Sequence, residues 1–226
     1  MNLAEKVYRQ LKEDIFDFRM LPGDRFSESE VAERMQASRT PVREALYRLE
    51  RDGYVQVYFR NGWQVRPFDF RYFEELYDVR TLLECEVVRR LCMETDRAER
   101  LSGLVTIWCC KPSQRQVDPV DVAFLDEEFH FGLLECGENT QMEAIHKDVC
   151  ERLRIIRRLD FYEPGRIQAT YEEHSSILEA ILSADSSRAT RELTRHIEVS
   201  RNTVRDITVH RIQDARKRYT TDLSRK

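Results

Sequence analysis

Four residues in the second half of the chain have the types and spacing of a metal site. Asp126 and His130 stand four apart in LDEEFHFGLLE, so on a helix their side chains share one face. His174 in YEEHSSILEAI and His196 in TRHIEVS each belong to a separate helix-like segment. Apolar residues flank all of them: Leu125, Phe129 and Leu133 beside the first pair, Ile177 and Leu178 beside His174, Leu193 and Ile197 beside His196. Three imidazoles and a carboxylate converging in a bundle suit zinc, nickel or another borderline divalent ion. A histidine beside an apolar stripe is more often a hydrogen-bonded core residue, and the residues alone leave both readings open. His146 and His210, each followed by a basic residue, read as surface. Arg154, Arg157 and Arg158 form a basic cluster that reads as mostly solvated.

A second group points to different chemistry. SRTPVREAL places Arg39 and Arg43 four apart at the start of a helix. Arginine suits bidentate contact with guanine O6 and N7, and in a helix–turn–helix the first residues of the second helix face base edges. Ser38 and Thr40, with the free N–H groups of the helix start, suit a phosphate. Taken alone, two arginines on a helix are an ordinary solvated face.

The surrounding elements decide against that bland reading. Leu3, Val7, Leu11, Ile15 and Phe18 recur at helical spacing, and LPGD breaks the helix they predict. A second short helix is expected after a cap near Ser27, turning Val31, Ala32 and Met35 inward. After a turn at Gln36-Ala37, Ser38 is placed to cap a third helix with Pro41 in its first turn. That helix buries Val42, Ala45, Leu46 and Leu49 and ends at Asp52-Gly53. Across 54–65 the period changes to two, with Val55, Val57 and Phe59 alternating and Asn61-Gly62 as a hairpin turn. This order is a winged helix–turn–helix, whose wing tip carries Arg60, Asn61 and Gly62 toward backbone or minor groove.

Beyond Pro67 strand signals vanish. Phe73, Leu76, Leu83, Val87 and Leu91 predict one helix, and others are expected over 97–110, 120–136, 140–161, 166–183 and 187 to about 215. The fold class is therefore mainly α, with a winged helix–turn–helix over 1–68 and a bundle of about six helices over 69–226. Of 226 residues 41% are hydrophobic, enough to bury a core, and the net charge of −4 gives no global sign of nucleic acid or membrane. The charge is uneven, with 12 basic against 11 acidic residues in 1–68 and 25 against 30 in 69–226. LSGLVTIWCC is half a membrane span, and the N-terminus has no basic start followed by an apolar stretch. Six cysteines without a C-x-x-C pair suggest reduced thiols, so a cytoplasmic location is expected.

SESEVAERMQASRTPVREALYRLERDGYV, residues 27–55, resembles the DNA-binding segment of GntR-family bacterial transcription regulators. The resemblance implies a dimer gripping a palindromic operator, with Arg39 and Arg43 on bases and Thr40 and Gly62 against phosphate. Many members carry an arginine where Ser29 stands here, so one contact of the family set is missing. D-E-E-F-H-x-x-L, then E-H-x-x-I-x-x-A-I and a third histidine in the last long helix, resemble the FCD effector domain of the FadR subgroup. There an aspartate and three histidines commonly hold a divalent metal at the floor of a ligand cavity, which matches Asp126, His130, His174 and His196. YDVRTLLE, residues 77–84, matches a first effector-domain helix whose arginine often faces that cavity. Arg80 is thus implied as a carboxylate clamp for a small organic-acid effector, against a plain ion pair with Glu84. The expected function is a ligand-responsive transcription regulator, a repressor in the first instance. Two rivals are a metal-dependent enzyme using the same four residues around an activated water, and a constitutive DNA-binding protein without effector.

Overall fold

The computed structural model describes residues 2–17, 19–58, 62–67, 69–161 and 165–205, with all side chains except those of 155, 158–160 and 203–205. The chain divides into two compact units, the first ending at Asp69 and the second beginning at Phe70.

In the first unit, α1 (Leu3–Phe16) starts where Asn2 Oδ1 accepts from the Ala4 N–H at 2.7 Å. It lays Val7, Leu11 and Ile15, all buried, against α3 (Arg39–Arg51), which answers with Val42, Ala45, Leu46 and Leu49. Each such Leu or Ile taken from water stabilises the unit by about 1.5–3 kcal/mol. Phe18, expected as the last apolar position of α1, lies outside the described residues. Between these helices α2 (Glu28–Arg34) begins with a capping box: Ser27 Oγ accepts from Glu30 N at 3.2 Å and Glu30 Oε2 accepts from Ser27 N at 2.6 Å. Ser38 does sit at the N-cap of α3, yet its hydroxyl makes no capping bond, a correction to the reading of the residues. The far end of α3 closes on Gly53 at φ +86°, with Tyr54 N–H donating to Leu49 O and Gly53 N–H to Glu50 O. Only glycine takes that φ without strain.

The wing is a three-stranded antiparallel sheet in the order β1 (Arg25–Ser27), β3 (Gly62–Val65), β2 (Val55–Tyr58). The hairpin partners β2 and β3 were expected. β1 was not, since three residues are too few to show alternation; it pairs Phe26 with Trp63 across the sheet. Trp63, Val55 and Val65 face the core.

The second unit contains α4 (Phe70–Leu91), α5 (Arg97–Arg100), α6 (Ser102–Trp108), α7 (Pro119–Cys136), α8 (Thr140–Asp160), α9 (Arg166–Leu182) and α10 (Ser186–Arg205). The single helix expected over 97–110 divides at Leu101, whose ψ of −2° both ends α5 and opens α6. The Ser102-Gly103 step that follows is made of weak helix formers, which favours a break there. α7 is capped by Asp118, whose Oδ1 accepts from Val120 N and Asp121 N, with Pro119 in the first turn. Its last turn reaches α4 so closely that a Cβ on Gly137 would lie 2.8 Å from Val87 Cγ1. α4 and α9 pack on α10 while α7 packs on α8, around Tyr77, Val87, Phe129, Leu153, Ile177 and Leu193. The extension of the last helix toward 215, and His210 with it, lie outside the described residues. No described helix is long and apolar enough to cross a membrane.

Candidate metal centre and nucleic-acid interface

The bundle brings the four predicted donors together. α7 contributes Asp126 and His130, α9 His174 and α10 His196, and all four are buried. His196 Nε2 lies 3.2 Å from both His130 Nε2 and His174 Nε2. Asp126 Oδ1 is 3.3 Å from His174 Nε2, 3.6 Å from His130 Nε2 and 3.8 Å from His196 Nε2. Leu125, expected in the buried stripe, is only half-buried, while Phe129 and Leu133 are fully inside.

Outer partners settle which nitrogens carry protons. His130 Nδ1 lies 2.7 Å from Glu84 Oε2 and His196 Nδ1 lies 2.7 Å from Glu173 Oε2. A carboxylate at that distance accepts from Nδ1–H, the tautomer that turns the two Nε2 lone pairs toward each other. His174 is clamped differently, its ring stacked on Phe129 at 3.7 Å and edge-on to Trp108 at 4.1 Å. Its Nδ1 is buried without a hydrogen-bond partner. Burial holds the His174 pKa well below its usual value and pulls that of His196 down to about 4, so both rings are neutral near pH 7.

These atoms fit a divalent ion. With His174 and His196 both neutral, their Nε2 atoms, 3.2 Å apart, can share one proton at most. Metal bonds of about 2.0–2.1 Å imply donor separations of roughly 3.3 Å around a tetrahedron, close to the 3.2–3.8 Å that separate His196 Nε2 and Asp126 Oδ1 from the other donors.

Around this cage lies a ring of arginine–carboxylate pairs. Asp126 Oδ2 accepts from Arg157 Nη2, Glu84 Oε1 from Arg80 Nε at 2.7 Å, Glu127 from Arg154 at 2.7 Å and Glu173 from Arg166 at 2.9 Å. Burial favours the neutral acid at Asp126, but Arg157, His130 and His174 together outweigh it and hold the carboxyl well below the usual range. Glu84 is likewise held low, by Arg80, His130 and His146 against the cost of burial. The ion-pair reading of Arg80 is therefore realised, with Arg80 buried beside the cage rather than solvated.

Two readings of the residues need correction. His146 is fully buried, not at the surface: its Nε2 sits 2.8 Å from Glu84 Oε1 and its ring meets Phe131. Burial lowers its pKa, but Cys150 and Glu84 outweigh that and push it up to about 9. Arg157 is 4% exposed, so at least this member of the basic cluster is not solvated; Arg158 lies outside the described side chains. Sequence neighbours are a poor guide in both cases, because helix periodicity rather than adjacency decides the face. Arg157 lies on the same α8 face as the buried Cys150, Leu153 and His146, and that spacing was the available signal. Glu84, His146 and Cys150 also approach one another closely. The Arg80 guanidinium already occupies the Glu84 oxygen that faces His146, and this second cluster reads as structural.

In the first unit, Arg39 and Arg43 lie exposed in the opening turns of α3. Arg39 Nη2 donates to Ser29 Oγ at 2.9 Å. Arg43 donates to Glu28 through Nε at 3.1 Å and Nη2 at 2.9 Å. They line a groove of about 370 Å³ together with Glu28, Ser29, Gly62 and Trp63. Ser38 and Thr40 are exposed beside them. Arg60 and Asn61 lie outside the described residues.

Comparison with known proteins agrees with both halves. The model of the FCD domain matches residues 75–199, more than half of the chain, and that of bacterial regulatory proteins of the gntR family matches residues 3–65. The chain belongs to the GntR family of transcription regulators and carries an FCD domain. The Nta operon transcriptional regulator of Aminobacter aminovorans is 28% identical over 78% of this chain and 82% of that protein. The HTH-type transcriptional repressor RspR of Escherichia coli is 26% identical over 90% of this chain and 89% of its own. A putative GntR regulator from Rhodococcus sp. RHA1 has the same fold, with a TM-score of 0.69, 21% identity and coverage of 91% and 98%. These relatives are regulators, not enzymes, which removes the metal-dependent enzyme from consideration.

Proposed function

We propose that this chain is a metal-containing, ligand-responsive repressor that binds operator DNA as a homodimer through the unit ending at Asp69. One observation carries the sensing half of the reading. Asp126, His130, His174 and His196 turn four donor atoms onto one point from three helices, with two rings locked in the ligating tautomer by Glu84 and Glu173. Zinc or nickel are the ions we favour there, given three imidazoles and one carboxylate. A divalent ion in this cage would supply a Lewis-acid position for an effector carboxylate.

The chain's own residues support an anionic effector. Arg80 Nη2 and Arg157 Nη1 are buried N–H groups without a hydrogen-bond partner. An unmet guanidinium donor beside the cage costs stability that an effector carboxylate would recover. Arg80 would then clamp the effector while Glu84 keeps both Arg80 and His130 in place. Binding changes operator affinity only by the difference in effector affinity between the two arrangements of the dimer.

The test joins both halves. Purified protein selects from a randomised duplex library, and the selected duplex is titrated with and without organic acids, before and after chelation. The reading requires a palindrome with half-sites about one helical turn apart, and an acid that shifts binding only in metal-replete protein. Sequence-selective binding untouched by every acid and by chelation would instead make this a constitutive DNA-binding protein.

A further inference from the structure

Arg39 and Arg43 of α3 are not free side chains waiting for DNA; the first turn of α2 holds them. Glu28 takes the Nε and Nη2 atoms of Arg43, which is one of the two forks of a guanidinium. The other fork, the remaining hydrogens of Nη1 and Nη2, is the end-on pair that matches guanine O6 and N7. Glu28 is itself partly enclosed in the groove beside Trp63 of β3, its side chain 19% exposed against 54% for Arg43. Ser29, next in the chain, holds Arg39 in the same manner through Nη2.

We propose that Glu28 is a specificity-determining positioning residue, which aims the end-on fork of Arg43 at one base pair of the operator. This rests on the reading of Arg43 as a base contact and extends it. Arginine carries large rotamer entropy, and a side chain tied at one fork loses less of it on binding DNA. Glu28 also acts against the wrong partner. An arginine released from its carboxylate is free to pair with any phosphate, whereas a carboxylate beside the groove repels backbone that is out of register. The anion thus trades general affinity for discrimination.

The experiment uses full-length protein and duplexes chosen from a randomised library by the wild type, with each base pair then replaced in turn. Arg43→Ala is measured first, and it must lose discrimination at one position for Arg43 to be a base reader at all. Glu28→Gln and Glu28→Ala are then expected to lose about tenfold of discrimination at that same base pair, while binding random duplex as tightly as wild type or more so. The Glu28→Gln/Arg43→Ala double variant should discriminate no worse than Arg43→Ala, since both act through one contact. Loss of preference at a different base pair would make Glu28 a direct reader and overturn the proposal. So would wild-type discrimination in both Glu28 variants. If Arg43→Ala keeps full preference, the failure belongs to the assignment of the recognition helix. Melting curves check that the exposed substitutions leave the fold intact.

Discussion

Both units build their working surfaces from arginine–carboxylate pairs, but the two sets differ in what water does for them. Arg43 with Glu28 lies in an open groove, where water and salt screen the pair and either partner can let go. Arg80 with Glu84 and Arg157 with Asp126 are 5% exposed or less, so neither charge can be released without a large desolvation cost. The first arrangement is suited to exchange a protein partner for a nucleic acid. The second holds the bundle in one geometry.

Breaking a buried pair should therefore have the largest effect. Arg157→Ala leaves Asp126 buried without its cation and is expected to cost about 3–5 kcal/mol of stability, read by urea unfolding. Chelation should come next. At free zinc a hundredfold above the dissociation constant, removing the ion costs about 2.7 kcal/mol, and added zinc should restore the melting temperature by mass action.

The pH dependence of the chelated protein sharpens the contrast. His196, with a folded pKa of about 4, and His174 bind fewer protons folded than unfolded, so their contribution is complete above 6.5 and lost as pH falls toward 4. His146 has the opposite sign: raised to about 9, it contributes fully below 6.5 and loses that contribution as pH rises through 9. The melting temperature of chelated protein should then peak near pH 6.5, and His146→Asn should flatten only the alkaline side. A maximum above pH 9 would show that His146 is not held as an imidazolium. The smallest effect belongs to the open pair: Glu28→Gln should leave the melting temperature unchanged and alter only its behaviour toward DNA.

How much of this was legible in the sequence follows the same division. The winged unit was readable because local rules build it: the Ser27–Glu30 capping box, the glycine at 53 and the period-two strands each act over a few residues. β1 escaped, being held by β3 more than thirty residues away, and Ser38 opens α3 without the side-chain bond expected of it. In the bundle, the four donors were legible from their spacing beside apolar stripes. Their supports were not, because Glu84 with His130 and Glu173 with His196 pair across helices. His146 shows the limit best. Its neighbours Ile145 and Lys147 are exposed, and only the packing of α8 against α4 and α7 buries it against Glu84.

Calorimetric titration of chelated protein with zinc asks whether the three imidazoles and Asp126 form a cage for one divalent ion. One ion per chain is expected in the wild type, with binding weakened at least tenfold in His174→Ala while operator affinity without effector is largely retained. Wild-type protein that takes up no zinc or nickel, and gains no thermal stability from either, would contradict it and leave the four residues as a buried polar core.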